Sequence, residues 1–245
     1  MVWLLSMGAV LATSLLSGVL GMGGGMILMG VFALLMPIPT AMVLHGVTQA
    51  AANGSRAWIH RQHIQFEVLS FYVLGSLLVL LGFFWLVITV EKSWFFVFLG
   101  SLALLSLVTP KSLQLDVTRP VTAFVCGIAV TLCQLLVGVS GSVLDIFYLN
   151  SPLNRFQVVA TKAFTQTLGH LFKLIFFGWL LWTDPQAMGA PWWMFVAVVA
   201  LATSGSKIGA WVLHRMNDQA FRYWSKWIIG VIGCLYLYKG VAILW

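Results

Sequence analysis

The chain has 245 residues, of which 61% are hydrophobic and only 8% are charged, and its formal net charge is +7. Soluble domains carry about 25% charged residues, so this composition excludes a soluble globular protein and predicts an all-α polytopic membrane protein. A positive net charge favours nucleic-acid binding in a soluble protein. Here the cations fall in short loops and inside apolar segments, so we expect a lipid bilayer as partner and no nucleic acid.

Eight long apolar runs follow one another along the chain, and each is near the ~20 residues that a helix needs to cross the hydrocarbon. Two shorter apolar pieces are too short to span alone, and each follows a break rich in glycine or serine. The long runs occupy residues 2–20, 40–59, 68–90, 93–110, 119–137, 156–182, 191–213 and 225–244. The short pieces occupy residues 26–36 and 143–150, after Gly21-Met-Gly-Gly-Gly25 and Gly138-Val-Ser-Gly-Ser142. The longest polar stretches are residues 111–119 and 214–226.

The positions of Lys and Arg predict how the chain crosses the membrane. If every long run crossed once, the basic loops at 60–67 and 214–226 would lie on opposite faces. If the run before each break and the short piece after it form a hairpin that enters and returns, both loops lie on one side. The second arrangement obeys the positive-inside rule, so we expect the basic loops to be cytoplasmic. The residues on this side are Arg56, Arg61, Lys111, Arg119, Arg155, Arg215, Arg222 and Lys226.

Each half of the chain then contains one hairpin and three crossings. Three is odd, so the second half is expected to be inverted relative to the first, as in many secondary transporters. The predicted division is an N-terminal repeat at 1–110, a cytoplasmic linker at 111–118 and a C-terminal inverted repeat at 119–245. An offset of 117 residues aligns Gly21 with Gly138, whereas an offset of 115 aligns Pro37 with Pro152, and both registers stay open.

The two breaks are candidate binding turns. Glycine costs ~1 kcal/mol relative to alanine inside a helix, so helix propensity does not explain Gly23, Gly24 and Gly25. Non-helical backbone at membrane depth is tolerated where it lines an enclosed or wet cavity. Backbone N–H groups at such a turn, together with the positive N-terminus of the next helix, favour an anion. Close helix packing through small residues is the alternative interpretation.

A polar stripe runs along one face of the helix predicted at 40–59. Its five residues recur at steps of three or four and stay within about 80° of arc. We expect His45, Gln49 and Asn53 to lie along a transport pathway. The alternative is polar contact between helices, with the last two residues at the cytoplasmic interface. The stripe consists of His45, Gln49, Asn53, Arg56 and His60.

The helix predicted at 156–182 repeats this device and adds buried cations. Lys162 and Lys173 are separated by about 16 Å along the axis but only about 20° around it. A lysine as deep as Lys173 costs at least ~2.5 kcal/mol, so we expect it to face a counter-charge or water, or to lose its proton. Lys207 is a third such cation, whereas Asp145 is the only carboxylate expected at comparable depth. An anionic substrate would neutralise the positive excess; the alternative is that Asp145 pairs with one lysine while Lys162 reaches the interface.

The sequence contains no signature of a metal site, a cofactor or an enzyme. His60 and His63 lie at a loop without an acidic or cysteine cluster, and Cys126, Cys133 and Cys234 show no CxxC spacing. No HExxH, GxSxG or Walker motif is present. We therefore predict no metal, no cofactor and no enzymatic activity.

The glycine-rich segments resemble the sulfite exporter TauE/SafE family of bacterial membrane proteins. The resemblance lies in Gly18-Val-Leu-Gly-Met-Gly-Gly-Gly25, Pro37 and the small-residue helix from Gly46 to Gly54. The second half repeats it as Gly138-Val-Ser-Gly-Ser142, Pro152 and Ala160-Thr161. It implies export of sulfite, organosulfonates or related sulfur oxyanions across the inner membrane, with both hairpins near the substrate. Carried over by position, the implied site glycines are Gly21, Gly23, Gly24, Gly25, Gly138 and Gly141.

Together these features predict a secondary transporter for a small anion, working by alternating access. A carrier of a carboxylate or another organic anion, and a membrane scaffold without a substrate, are the alternatives. A second copy of the chain, giving a homodimer, is a candidate partner, and Asp145, His45 and His170 are candidates for proton coupling. The expected substrate-binding residues are Gly21, Gly23, Gly24, Gly25, Gly138, Ser140, Gly141, Ser142, His45, Gln49, Asn53, Lys162, Gln166, His170, Lys173 and Lys207.

Overall fold

The protein is all-helical throughout the residues that the computed structural model describes, which are 1–20, 23–108, 115–148, 151–183, 189–213 and 218–245. These residues form ten α-helices, one short 3-10 turn at Arg61–His63 and no β-strand. The helices are α1 Val2–Leu20, α2 Gly24–Leu35, α3 Ile38–Ile59, α4 Phe66–Leu86, α5 Lys92–Val108, α6 Pro120–Val137, α7 Gly141–Tyr148, α8 Arg155–Thr183, α9 Trp192–Leu213 and α10 Asp218–Leu244.

Each predicted apolar segment corresponds to one of these helices, so the all-α prediction is confirmed. The largest difference in a boundary is at α10, which begins at residue 218 and not at 225. Part of the stretch 214–226 that we expected to be a polar loop is therefore helical. A helix that extends beyond the hydrocarbon needs no apolar residues there, and hydropathy does not mark its first turns.

Each break contains a glycine with a positive φ, and the helix after each break packs against the helix before it. Gly23 has φ 85° and precedes α2, and Gly138 has φ 77° and ends α6. Glycine adopts this left-handed region without the steric cost that a Cβ imposes. After the first break α2 packs back on α1 so closely that a Cβ at Gly24 would lie 2.4 Å from the Thr13 carbonyl oxygen. In the second half α7 likewise packs against α6.

The most extensive helix contacts are α1 with α9, α4 with α6, α3 with α8 and α5 with α10. Suppose that each helix of the first half changes places with its counterpart in the second half, α1 with α6 and so on to α5 with α10. The same four helix pairs then result. The central pair α3 and α8 is antiparallel, since Gly46 lies against Leu174 whereas Gly54 lies against Thr167. The first residues of α2 and α7 are 117 positions apart, as are those of α3 and α8. These starts favour the offset of 117 over that of 115.

Four described helices, α4, α6, α9 and α10, contain a stretch long and apolar enough to cross a membrane. The central helices α3 and α8 are long as well, but their polar stripes interrupt the hydropathy. Large apolar side chains such as Leu78, Leu81 and Trp85 on α4 are exposed, which is unfavourable in water and favourable in lipid.

Packing between α4 and α6 depends on the absence of a side chain at Gly127. A Cβ there would lie 2.0 Å from the carbonyl oxygen of Tyr72. We expect Gly127→Ala to lower the free energy of unfolding by about 1–3 kcal/mol, since overpacking forces the backbones apart. Thermal unfolding in detergent would measure this loss. The matched control is Gly82→Ala on α4, because a Cβ at Gly82 meets nothing within 4 Å; equal melting temperatures for the two variants would contradict the prediction.

Candidate functional site

A cavity of about 250 Å³ lies at the centre of the fold, between the two breaks and the two central helices. Along α3 its wall extends from His45 to Arg56, and along α8 from His170 back to Val158. Because α3 and α8 are antiparallel, the cavity runs from the middle of both helices towards the ends that adjoin the 60–65 turn.

The first half of the chain contributes its glycine break and its polar stripe to the wall. Gly23 and Gly25 line the cavity together with three stripe residues, namely His45, Gln49 and Asn53. A Cβ at Gly25 would lie 3.3 Å from the Gln49 side-chain amide, so the absence of a side chain leaves room for this amide beside the first turn of α2. The expected pathway face of α3 therefore does face the cavity.

The second half contributes the corresponding elements. Ser140, Gly141 and Ser142 of the second break line the cavity, as do Gln166 and His170 of α8. A Cβ at Gly141 would lie 3.4 Å from Nε2 of Gln166, which repeats the relation between Gly25 and Gln49. The first turns of α2 and α7 thus meet at one cavity, and the N-terminal ends of both helices contribute partial positive charge to it.

Charged side chains in the wall comprise two cations and one carboxylate. Lys162 of α8 forms an ion pair with Asp145 of α7. The alternative interpretation of the sequence expected Asp145 to pair with a lysine, but it placed Lys162 at the interface and not in this pair. Arg56 of α3 is the second cation in the wall. Among the described residues, Asp145 is the only carboxylate that lines the cavity, so the lining keeps an excess of positive charge.

Lys173 lies beneath the cavity and connects the two halves. Its side chain is 0% exposed, and its Nζ donates hydrogen bonds to Nδ1 of His45 (2.7 Å) and to the carbonyl oxygen of Gly138 (3.1 Å). Nε2 of His45 donates to the carbonyl oxygen of Gly25 (2.8 Å). A carbonyl only accepts, so the bond to Gly25 places a proton on Nε2 and leaves Nδ1 to accept from Lys173. One chain of hydrogen bonds therefore links both glycine breaks.

No carboxylate lies within ion-pair distance of Lys173 in the described part of the chain. A buried ammonium without a counter-charge is costly, and its partners here are a neutral imidazole nitrogen and a carbonyl. Lys173 is thus a buried lysine without a carboxylate partner among the described residues, as we expected from the sequence for one of the deep lysines.

A second hydrogen-bonded group lies next to the first. Nε2 of Gln134 donates to Nδ1 of His170 (2.6 Å), and the Ser140 hydroxyl donates to Oε1 of Gln134 (2.8 Å). The ring centroids of His45 and His170 are 5.6 Å apart. The second break is therefore connected to α8 through Gln134, and the two histidines lie side by side above Lys173.

Aromatic side chains fill the space between the helices beyond Lys173. The Phe176 ring lies 5.4 Å from the rings of Phe83 and Phe84, and the Phe84 ring lies 5.2 Å from that of Trp179. Phe83 and Phe176 are buried. We call Phe83, Phe84, Phe176 and Trp179 the aromatic plug; they lie between α4 and α8, on the side of Lys173 away from the 60–65 turn.

Several expected site residues lie outside the cavity wall. Lys207 is exposed on α9, whereas its neighbour Ser206 lines the cavity. The expected burial of Lys207 is wrong, because a step of one residue turns a side chain by about 100° around the helix. Gly24 packs on α1, as the close-packing alternative requires, and Gly138 meets Lys173 beneath the cavity. Gly21 lies outside the described residues.

Other lining residues were not expected from the sequence. Arg56 lines the cavity together with Ser14, Ser17 and Ser206. Its spacing from His45, Gln49 and Asn53 already places Arg56 on the cavity face of α3. We did not expect it in the site because it lies near the end of the helix, where an arginine can reach the membrane interface. Gln134 had a signal as well, since it is a lone amide in the apolar helix before the second break.

No group of three or more His, Cys, Asp or Glu side chains that could hold a metal ion occurs among the described residues. Apart from the Asp145 carboxylate, which is paired with Lys162, the polar side chains in the wall are cations, amides, hydroxyls and histidines. These are hydrogen-bond donors suited to the oxygens of a small anion.

A comparison with protein families gives a match that covers nearly the whole chain. The family described as sulfite exporter TauE/SafE matches residues 6–236. The chain belongs to the sulfite exporter TauE/SafE family. No curated protein and no solved structure shows significant similarity to it. As a TauE/SafE protein with several apolar helices, it is a multi-pass membrane transport protein, and the resemblance inferred from its glycine breaks is confirmed.

Proposed function

We propose that this TauE/SafE protein is a secondary transporter that moves sulfite, an organosulfonate or a related sulfur oxyanion across the bacterial inner membrane by alternating access. The observation that carries the proposal is one cavity whose wall unites both glycine breaks, both polar stripes and an excess of cations. Family membership supplies the class of solute.

The charge of the lining favours an anion over a neutral or cationic solute. Arg56 and Lys162 face the cavity against the single carboxylate of Asp145, and Lys173 lies directly beneath. Cations in a partly dehydrated site attract anions more strongly than in water. The planar guanidinium of Arg56 also suits an oxyanion that offers two oxygens at once.

The size of the cavity favours a small solute. Its volume of about 250 Å³ is below the ~300–1,000 Å³ that is typical of pockets for drug-sized ligands. A sulfur oxyanion or a short organosulfonate has few heavy atoms, and its oxygens would contact the amides of Gln49 and Gln166.

The fold supports alternating access through the relation between its halves. The exchangeable helix contacts and the antiparallel course of α3 and α8 are what two inverted repeats would produce. The cavity extends towards the 60–65 turn, which the positive-inside rule assigns to the cytoplasm, and the aromatic plug lies on the opposite side of Lys173. This conformer would then receive solute from the cytoplasm.

Flux measurements in proteoliposomes test the proposal directly. We expect the reconstituted protein to move labelled sulfite or a labelled organosulfonate. Arg56→Gln should reduce the initial rate by at least about tenfold, since hydrogen bonds to charged groups contribute ~1.5–3 kcal/mol. The matched control is Arg61→Gln, which removes the same charge from the exposed turn and should leave the rate unchanged.

The same assay separates the alternatives. Flux of carboxylates without flux of sulfur oxyanions would favour the carrier of organic anions. A folded, reconstituted protein that moves no anion in a broad panel would contradict the transporter and favour the scaffold.

A further inference from the structure

The ion pair between Asp145 and Lys162 has an unusual position, because both partners face the space in which an anion would bind. The two side chains line the cavity and are 25% and 23% exposed, respectively. An ion pair with a purely structural role would lie away from the bound solute. Here Asp145 instead neutralises Lys162, which is one of the two cations in the cavity wall. A bound oxyanion would therefore compete with Asp145 for Lys162.

We propose that, in the absence of substrate, the Asp145 carboxylate occupies the position on Lys162 that an oxyanion would take. A bound oxyanion displaces the carboxylate from Lys162, and the displaced carboxyl group binds one proton. Anion and proton then occupy the cavity together. This inference rests on the proposed anion transport and adds to it the identity of the proton-binding group and the stoichiometry of one proton per anion.

The electrostatic reason is local, because Lys162 is the only cation within ion-pair distance of Asp145 among the described residues, and an oxyanion would share it with the carboxylate. With the oxyanion on Lys162, a charged Asp145 would lie beside a like charge within the same 250 Å³. Like charges at a shared site favour protonation of one of them. The proton enters from the aqueous phase that reaches the cavity and leaves when the ion pair forms again, so charge and atoms balance over one cycle.

The groups around Asp145 define what else could take up the proton. Lys162 and His170 of α8 face the same cavity, as do His45 and Arg56 across it on α3. Helix α7 also packs on α5, whose only charged residue in its sequence is Lys92 at its first position. Among the described residues, the apolar cluster beside α7 adds the titratable side chains of Tyr72, Cys126, Cys133 and Tyr148. Asp116 lies in the segment that hydrogen-bonds to the end of α7. Of all these groups, Asp145 is the carboxylate in contact with a cavity cation.

Binding of methanesulfonate at different pH values tests the inference, because the charge of this probe is constant. In the wild-type protein the dissociation constant should fall by up to about tenfold for each unit of decrease in pH, since one proton is taken up with each anion. Asp145→Asn cannot compete for Lys162, so it should bind the probe at pH 8 at least as tightly as the wild type does near pH 6 and should show little pH dependence. The matched control is Glu67→Gln, an exposed acid on α4, which should retain the wild-type slope.

Proton uptake by the wild-type protein gives a measurement that needs no variant. Calorimetric titration of methanesulfonate in buffers of different ionisation enthalpy should report about one proton bound per anion at neutral pH. Uptake of no proton, or an Asp145→Asn variant that binds the probe with the wild-type pH slope, would overturn the inference while leaving anion transport intact. If the wild-type protein binds neither methanesulfonate nor sulfite at any pH, the proposed function itself fails.

Discussion

Replacement of Lys173 by glutamine is expected to abolish anion flux. The Lys173 ammonium donates to His45 and to the Gly138 carbonyl, and so connects both glycine breaks. Glutamine is one atom shorter and uncharged, so at least one of these buried acceptors would lose its donor, at a cost of ~1–3 kcal/mol. The positive charge beneath the cavity would be lost as well. Loss of a unit charge beside a partly dehydrated site weakens the binding of an anion.

The experiment compares initial rates of sulfite flux in proteoliposomes for the wild type and for Lys173→Gln. The matched control is Lys207→Gln, which makes the same chemical change at an exposed position outside the cavity wall. We expect the control to transport at the wild-type rate. Size-exclusion and thermal-unfolding profiles show whether each variant is folded. A folded Lys173→Gln protein with more than half of the wild-type rate would refute a role for this ammonium.

Replacement of Gly138 by alanine has the second-largest expected effect. Gly138 ends α6 with φ 77°, where a residue with a Cβ costs about 1–2 kcal/mol. The added Cβ would also lie 2.6 Å from the sulfur of Met29 and 2.9 Å from that of Met42. Methionine side chains adapt readily, but relief of the backbone strain would move the carbonyl that accepts from Lys173. We therefore expect a lower melting temperature and a flux reduced by at least about tenfold, because loss of a hydrogen bond to a charged group costs ~1.5–3 kcal/mol.

Gly178→Ala is the control for this variant. A Cβ at Gly178 meets nothing within 4 Å, and the residue lies inside α8. Alanine is favoured over glycine by ~1 kcal/mol within a helix, so the control should be as stable as the wild type or more so. If Gly138→Ala melts and transports like Gly178→Ala, the left-handed turn has no special role.

The sequence alone predicted the parts of the fold that depend on periodicity and on backbone chemistry. Glycine at the breaks and the steps of three and four residues along α3 are local signals, and both led to groups that the structure brings to one cavity. Lys207 shows the limit of depth arguments, because the distance of a residue from the helix ends does not determine the face on which it lies. The start of α10 shows the limit of hydropathy, which does not detect helix outside the lipid.

The remaining features of the site depend on which helices meet, and a single sequence does not contain that information. The pairing of Lys162 with Asp145, and not with another group, follows from the packing of α7 on α8. The contact between Gln134 and His170 similarly joins residues 36 positions apart. Helical phase identified the polar faces, but tertiary packing decides their partners.

If the protein alternates access as proposed, the aromatic plug has a consequence for the molecule without bound solute. To open the side on which the plug lies, the rings of Phe83 and Phe176 must separate and become wet, and at about 25 cal/mol for each Å² of apolar surface this costs several kcal/mol. The other end is lined by Asn53 and Arg56, which water solvates at little cost. Without bound solute, the conformer that is open towards the 60–65 turn would therefore predominate. Solute on that side of the membrane would find the binding site accessible, whereas solute on the other side would bind only when the rare opposite conformer forms. The half-saturating solute concentrations would therefore differ between the two faces of the membrane.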